Sequence, residues 1–144
     1  MTPDPVTTPD TTPIPEDGIL LSFPKGLLGF EKLKTYRLLE PRDGYPLKFL
    51  QSVDAEEVSF TCIDPVVVER DYEVPLGQEE AQALGLESQA DALVLTLVVI
   101  PEDPKRMTTN LAGPLVVNVK TRVGFQIVLN TDTYPVRFPI FPQT

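Results

Sequence analysis

Sixteen prolines in 144 residues set the first limit on how this chain can fold. A proline inside a helix removes a backbone donor and clashes with the preceding turn, so long helices are excluded. Many of these prolines stand where short apolar runs begin or end. Pro24 follows ILLSF (19–23), and Pro135 and Pro139 punctuate YPVRFPIF (134–141). Prolines at strand ends and edges suit a protein of short strands and tight connections. The length fits one domain with one sizeable hydrophobic core. An apolar fraction of 42% and a charged fraction of 23% are ordinary for a soluble globular protein.

Residues 1–17, MTPDPVTTPDTTPIPED, are mostly Pro, Thr and Asp, with no aromatic or basic side chain. Such a stretch cannot bury enough apolar surface to offset the entropy of ordering, so it reads as a disordered Pro/Thr-rich tail ahead of a domain at 18–144. From Gly18 the strand signals follow closely: ILLSF, TYRLLE (35–40), LKFLQSV (47–53), VSFTCI (58–63) and PVVVER (65–70). The third and fourth, joined by the acidic DAEE, read as a hairpin with Leu47, Phe49, Val58, Phe60 and Cys62 pointing inward. One short helix is expected over Gln78–Leu84, with acids near its start, Ala81 and Leu84 as a narrow apolar stripe, and Gly85 as a left-handed cap. ALVLTLVVI (92–100) reads as a strand buried on both faces. PLVVNVK (114–120) and GFQIVLN (124–130) form a second hairpin, and YPVRFPIF closes the chain. The pattern is all-β: a small antiparallel β-barrel-like domain with one short helix. In FPKGLLGFE (23–31), Gly26 and Gly29 predict a sharp corner at positive φ. Phe23, Leu27 and Phe30 are expected to plug one end of the barrel, with Leu28 left open between burial and exposure.

The chain offers little for catalysis. It has no histidine, a single cysteine, and no Gly-rich phosphate loop. Most triads and metal sites are therefore out of reach, and no cofactor or metal is expected. Cys62, in the strand-like SFTCI, reads as a buried structural thiol. The carboxylate pairs Glu56–Glu57 and Glu79–Glu80 lie in an acidic turn and at a helix start, where solvated charge is the commoner explanation. An enzyme is not expected. The net charge of −9 repels phosphate backbones and argues against direct nucleic-acid binding. The same field would speed encounter with a basic protein, or serve solubility alone. The start of the chain carries no basic-then-apolar leader, and the run LVLTLVVI (93–100) is too short to span a bilayer. A soluble, cytoplasmic protein with no membrane partner is expected, monomeric on its own.

The clearest partner-like feature is IDPVVVERDYEVPL (63–76), where Tyr72 sits among Glu69, Asp71 and Glu73. Tyrosine is enriched at binding hot spots, and acids beside it could pair with a partner's lysines and arginines. The competing reading has Tyr72 and Val74 packing inward at period two while the acids face water. A small-molecule-binding barrel is the alternative to a protein-binding one, and it requires an enclosed apolar cavity.

Three ordered blocks carry a family resemblance. FPKGLLGFE resembles the opening of the flagellar assembly factor FliW family. LKFLQSVDAEEVSFTCIDPVVVERDYEVPL resembles its next block, with LQSVD, DP and DYE elements. TTNLAGPLVVNVKTRVGFQIVLNTDTYPVRFPIF resembles its C-terminal block. The chain departs from the family pattern at Leu28, Phe125 and Phe138, where proline, lysine and histidine are frequent. The resemblance implies a barrel-like domain that binds flagellin in the cytoplasm and, when free, binds and antagonises the translational regulator CsrA, relieving repression of flagellin messenger RNA. On the DYE element it points to Asp71, Tyr72 and Glu73, with Val74 beside them, as partner contacts. Glu69, Asp54, Glu56 and Glu57 are further acidic-surface candidates.

Overall fold

The computed structural model describes residues 18–40 and 46–141. The segment expected as a tail, 1–17, lies outside the described residues. Seven strands close a barrel: β1 (Ile19–Ser22), β2 (Thr35–Leu39), β3 (Leu47–Ser52), β4 (Ser59–Ile63), β5 (Ala92–Val99), β7 (Leu115–Asn118) and β8 (Val123–Gln126). Around the barrel the order is β4-β3-β2-β1-β8-β7-β5, and β5 returns to β4 to complete the ring. Two short strands, β6 (Thr108–Thr109) and β9 (Phe138–Pro139), extend the sheet from the far end of β5. All pairings are antiparallel except the β1–β8 seam, which is parallel and rests on Ser22 opposite Val123. There the Ser22 N–H donates to the Arg122 carbonyl at 2.8 Å. Among the described residues a single α-helix, α1 (Gln78–Leu84), matches the expected span. Glu80 reaches back to accept the Gly77 N–H at 2.7 Å. Gly85 ends the helix at φ 62° and donates to the Ala81 carbonyl.

Two apolar clusters share the barrel wall. The lumen is filled by Leu21, Phe23, Leu27, Tyr36, Leu38, Leu50, Cys62, Leu93, Leu95, Leu115 and Val117. A second cluster lies outside the wall and joins Tyr72, Val74, Leu76 and Leu84 to Ala92, Val94, Val116 and Ile127. Alternation along β5 accounts for both: Leu93 and Leu95 face the lumen, and Ala92 and Val94 face the outer layer. Its first five residues are all buried, as the continuous apolar run predicted, but the reading of 92–100 as buried throughout fails at its end, where Val99 and Ile100 are exposed.

The structure corrects the sequence reading in four further places. Across β3–β4, Leu50 pairs with Phe60 and Lys48 with Cys62, while Phe49 pairs with Thr61. Residues directly opposite in an antiparallel pair share a face, so Phe49 and Phe60 cannot both point inward. Leu50 and Ser52 are the buried residues of β3, and Phe49 stands 36% exposed. The segment 65–70 is not a strand. Pro65–Val67 form a 3-10 turn in which the Asp64 carboxylate accepts the Val66 N–H at 3.0 Å. An acidic cap followed by proline at the first helical position outweighs the strand preference of three valines. The closing strand is confined to Phe138–Pro139, which pairs with the unanticipated β6. At the FPKGLLGFE corner Phe23 and Leu27 plug the barrel, but Phe30 lies 38% exposed on the rim against the edge of Phe60.

Asn118 ties the two layers together. Its side-chain amide donates to the Leu84 carbonyl at 2.9 Å and the Gly85 carbonyl at 3.3 Å, satisfying the C-terminal end of α1. Its carbonyl oxygen accepts the Lys120 N–H at 2.9 Å and so shapes the β7–β8 turn. Because Asn118 is buried, truncation leaves these groups without water to replace it. Asn118→Ala is expected to lower unfolding free energy by about 2 kcal/mol in urea titration. Hydrogen exchange should show α1 amides losing protection before those of β5.

Candidate functional site

The chain leaves β4 through Asp64, makes the 3-10 turn, and runs as an extended loop into α1. Two backbone bonds shape the loop's start: Glu69 N–H to the Pro65 carbonyl at 2.9 Å, and Tyr72 N–H to the Glu69 carbonyl at 3.0 Å. From residue 71 the side chains alternate. Tyr72, Val74 and Leu76 are buried, and Asp71, Glu73 and Pro75 are exposed. Tyr72 is the anchor. Its hydroxyl donates to the Leu111 carbonyl at 2.6 Å, and its ring lies 4.6 Å from that of Tyr134. The Tyr134 hydroxyl in turn accepts the Glu73 N–H at 3.3 Å. Burial, and secondarily Tyr134, push the Tyr72 hydroxyl well above the usual tyrosine range, so it remains a donor.

Tyr72 and Val74 therefore do not supply contact surface: they are 1% and 0% exposed. The reason is the hydrophobic outer face of β5, β7 and β8, which needs a cover and takes it from these alternate positions. What the loop presents to solvent is Asp71 and Glu73, with Glu69 half-buried beside them. The wider charge distribution reinforces this. Residues 53–91 contain eleven of the chain's twenty-one acids and one cation, Arg70. Most of that stretch after β4 forms the layer that covers the second cluster. One edge of this layer is pinned by Lys120, whose Nζ lies 3.6 Å from both Glu87 and Asp91.

Asp54, Glu56 and Glu57 are exposed but belong to a different place. They occupy the β3–β4 turn, and the loop carrying Asp71 leaves the opposite end of β4. Five strand residues set those ends roughly 16 Å apart. The two acidic groups thus make separate surfaces rather than a cleft with converging carboxylates. Beside the turn lies an open depression of about 440 Å³ lined by Arg37, Gln51, Ser52, Val53 and Glu56. The Gln51 amide donates there to the Glu56 and Val58 carbonyls. The small-molecule reading needed a hollow barrel, and the lumen is instead occupied by packed side chains.

Cys62 is fully buried, its thiol 3.6 Å from the Lys48 carbonyl. Burial pushes its pKa up to about 12, opposed by Lys48, so almost no thiolate exists at neutral pH. Among the described residues, no group of three or more His, Cys, Asp or Glu could hold a metal ion. No helix among them is long and apolar enough to cross a membrane.

Sequence reasoning missed Leu111 and Tyr134 as the residues that position this loop. The sequence reading places Tyr134 at the start of the closing strand, but it precedes β9 and its ring lies against that of Tyr72. Leu111 gave no signal, because it contributes a backbone carbonyl.

Two outcomes test this geometry. Tyr72→Phe leaves the Leu111 carbonyl unpaired and should cost about 1–3 kcal/mol in denaturant unfolding, whereas Tyr72→Ala should cost about 3–5 kcal/mol by opening a cavity. An aromatic disulfide reagent at pH 8 should leave Cys62 unmodified in the native protein and titrate one thiol once urea unfolds it.

Residues 7–140 match the family model described as FliW protein. The chain is 41% identical over 123 residues to the flagellar assembly factor FliW of Natranaerobius thermophilus, an alignment covering 85% of this chain and 82% of that one. It is 39% identical over 125 residues to the flagellar assembly factor FliW of Carboxydothermus hydrogenoformans, covering 87% and 80% respectively. A crystal structure of the flagellar assembly factor FliW superposes with a TM-score of 0.81 at 26% identity, covering 97% of this chain and 99% of that chain. With sequence and barrel architecture in agreement, the chain belongs to the FliW family of flagellar assembly factors.

Proposed function

We propose that this protein acts in the cytoplasm as a partner-switching factor without enzymatic activity. It binds flagellin. When flagellin has been exported and the factor is free, it captures the RNA-binding regulator CsrA and relieves repression of flagellin messenger RNA. The observation that carries this reading is the display of Asp71 and Glu73 by a loop whose intervening side chain, Tyr72, is locked in the core. Acids held on a rigid base lose little entropy on binding, and they suit a basic partner.

The same surface explains how RNA would be displaced. A regulator that binds RNA does so through cationic side chains, and the acid-rich layer of residues 64–91 complements them. Contact beside the RNA site is enough. Charges within about 10 Å at ~0.1 M salt still feel one another, so carboxylates near the site would repel phosphates without covering it. Binding through such a surface should weaken as salt rises.

Asp71→Lys combined with Glu73→Lys changes only exposed side chains, so the fold should survive with its melting temperature nearly unchanged. Calorimetric titration with the purified regulator should show affinity reduced at least about tenfold. Unchanged affinity in the folded variant would remove this loop from the interface. Size-exclusion runs with flagellin and the regulator, separately and mixed, test the switch itself. Each partner should co-elute alone, and flagellin should displace the regulator from the mixture. A stable complex of all three would defeat the switch, and co-elution with neither would defeat the assignment.

A further inference from the structure

The FPKGLLGFE corner holds an exposed leucine in a stiff frame. Leu28 is 61% exposed, yet its N–H donates to Gln126 Oε1 at 2.8 Å, across 98 residues of sequence. Gln126 is itself held, its amide donating to the Gly113 carbonyl at 3.0 Å. On either side, Gly26 and Gly29 take φ of 67° and 86°. A Cβ at Gly26 would lie 2.6 Å from the Glu31 backbone, so only glycine fits that turn. Gly29 donates to Glu31 Oε2 at 2.7 Å, and Phe30 N–H to the Leu27 carbonyl at 2.7 Å. The exposure of Leu28 is therefore built in rather than a consequence of a loose loop.

Other apolar surface adjoins it. Phe30 is 38% exposed on the same corner. Val128, 68% exposed, shares a face with Gln126, because the bonds from Ile127 N–H to Pro114 and from Leu129 N–H to Ala112 continue the strand alternation past β8. The charge here is opposite to that of the rest of the molecule. Lys25, Lys32 and Lys34 are exposed within residues 23–34 against the single acid Glu31, and among the described residues none of the three lysines forms an ion pair.

We propose that this corner is a second docking surface, separate from the acidic loop, and that it receives an acidic amphipathic helix of a partner protein. Exposed Leu28, Phe30 and Val128 would meet the helix's apolar stripe, and the lysines would meet carboxylates flanking that stripe. The backbone points to a helix rather than an added strand. The N–H groups of Leu28, Gly29 and Phe30 are already bonded internally, which leaves side chains as the means of recognition. A preformed apolar tip with a charged rim is also the arrangement that concentrates binding energy in a few residues.

The test uses the full chain and a helical peptide with leucines at i, i+3, i+4 and i+7 and glutamates on the flanks, beside a counterpart with lysine for every glutamate. Fluorescence anisotropy should show the acidic peptide binding, more weakly as salt rises, and the basic one binding at least about tenfold less well. Leu28→Ser, and Lys25→Glu with Lys32→Glu, should each weaken the acidic peptide at least about tenfold, while Asp71→Lys with Glu73→Lys should leave it unchanged. Amide shifts in the unsubstituted protein should centre on 23–34 and 126–128, which keeps the site testable if a variant misfolds. Equal binding of both peptides, or shifts centred elsewhere, would overturn the proposal. So would Leu28-dependent binding to anionic lipid vesicles without peptide binding, or a Leu28-dependent dimer in sedimentation.

Discussion

β5 runs through the structure as a strand with no solvent face over its first five residues. Leu93 and Leu95 complete the barrel lumen, while Ala92 and Val94 on the other side, with Val116 and Ile127, form apolar surface that water cannot be allowed to reach. A closed barrel alone would leave that surface bare. The chain covers it with the segment between β4 and β5: the 3-10 turn, the loop through Tyr72, and α1. Every later feature of the acidic face arises from this requirement for a second layer.

The covering layer packs on the barrel through Tyr72, Val74, Leu76 and Leu84, and polar contacts to backbone fix its position. Tyr72 bonds the Leu111 carbonyl, and Asn118 bonds the last carbonyls of α1. Such contacts position an extended loop that has little regular structure of its own. They also explain the charge pattern. With one side of each covering segment committed to burial, the other side is free to carry Asp71, Glu73, Glu79 and their neighbours. A strongly acidic surface is thus displayed on a well-packed base, with the molecule's lysine-bearing corner held elsewhere by Gln126.

The described residues form exposed charged surfaces and no cleft with converging carboxylates. The lumen is packed, its one thiol is held protonated by burial, and the acids on the β3–β4 turn and on the 69–73 loop diverge from the two ends of β4. For a flagellar assembly factor this is a coherent design, since partner proteins are recognised by rigid exposed patches of defined charge and shape.

The amino-acid sequence was enough for the class of fold, the β3–β4 and β7–β8 hairpins, the span and left-handed end of α1, and the sharp corner at Gly26 and Gly29. These are local consequences of proline placement, alternation and capping, which act over a few residues. The family was legible in three ordered blocks. Tertiary structure alone decided which face of a strand is inner. Leu47 and Phe49 are as apolar as Leu50, and only register against β4 put Leu50 inside. It also separated the members of DYE: period two allowed Tyr72 to be buried, but the apolar outer face that β5 forms with β7 and β8 required it. Asp64 and Pro65 turned three valines into a 3-10 turn, a local signal that strand propensity had masked. Leu28 was left open by its own sequence neighbourhood, and its exposure was settled by a glutamine 98 residues away. Composition could suggest that the chain binds a partner, whereas long-range contacts decided which of its side chains are available to do so.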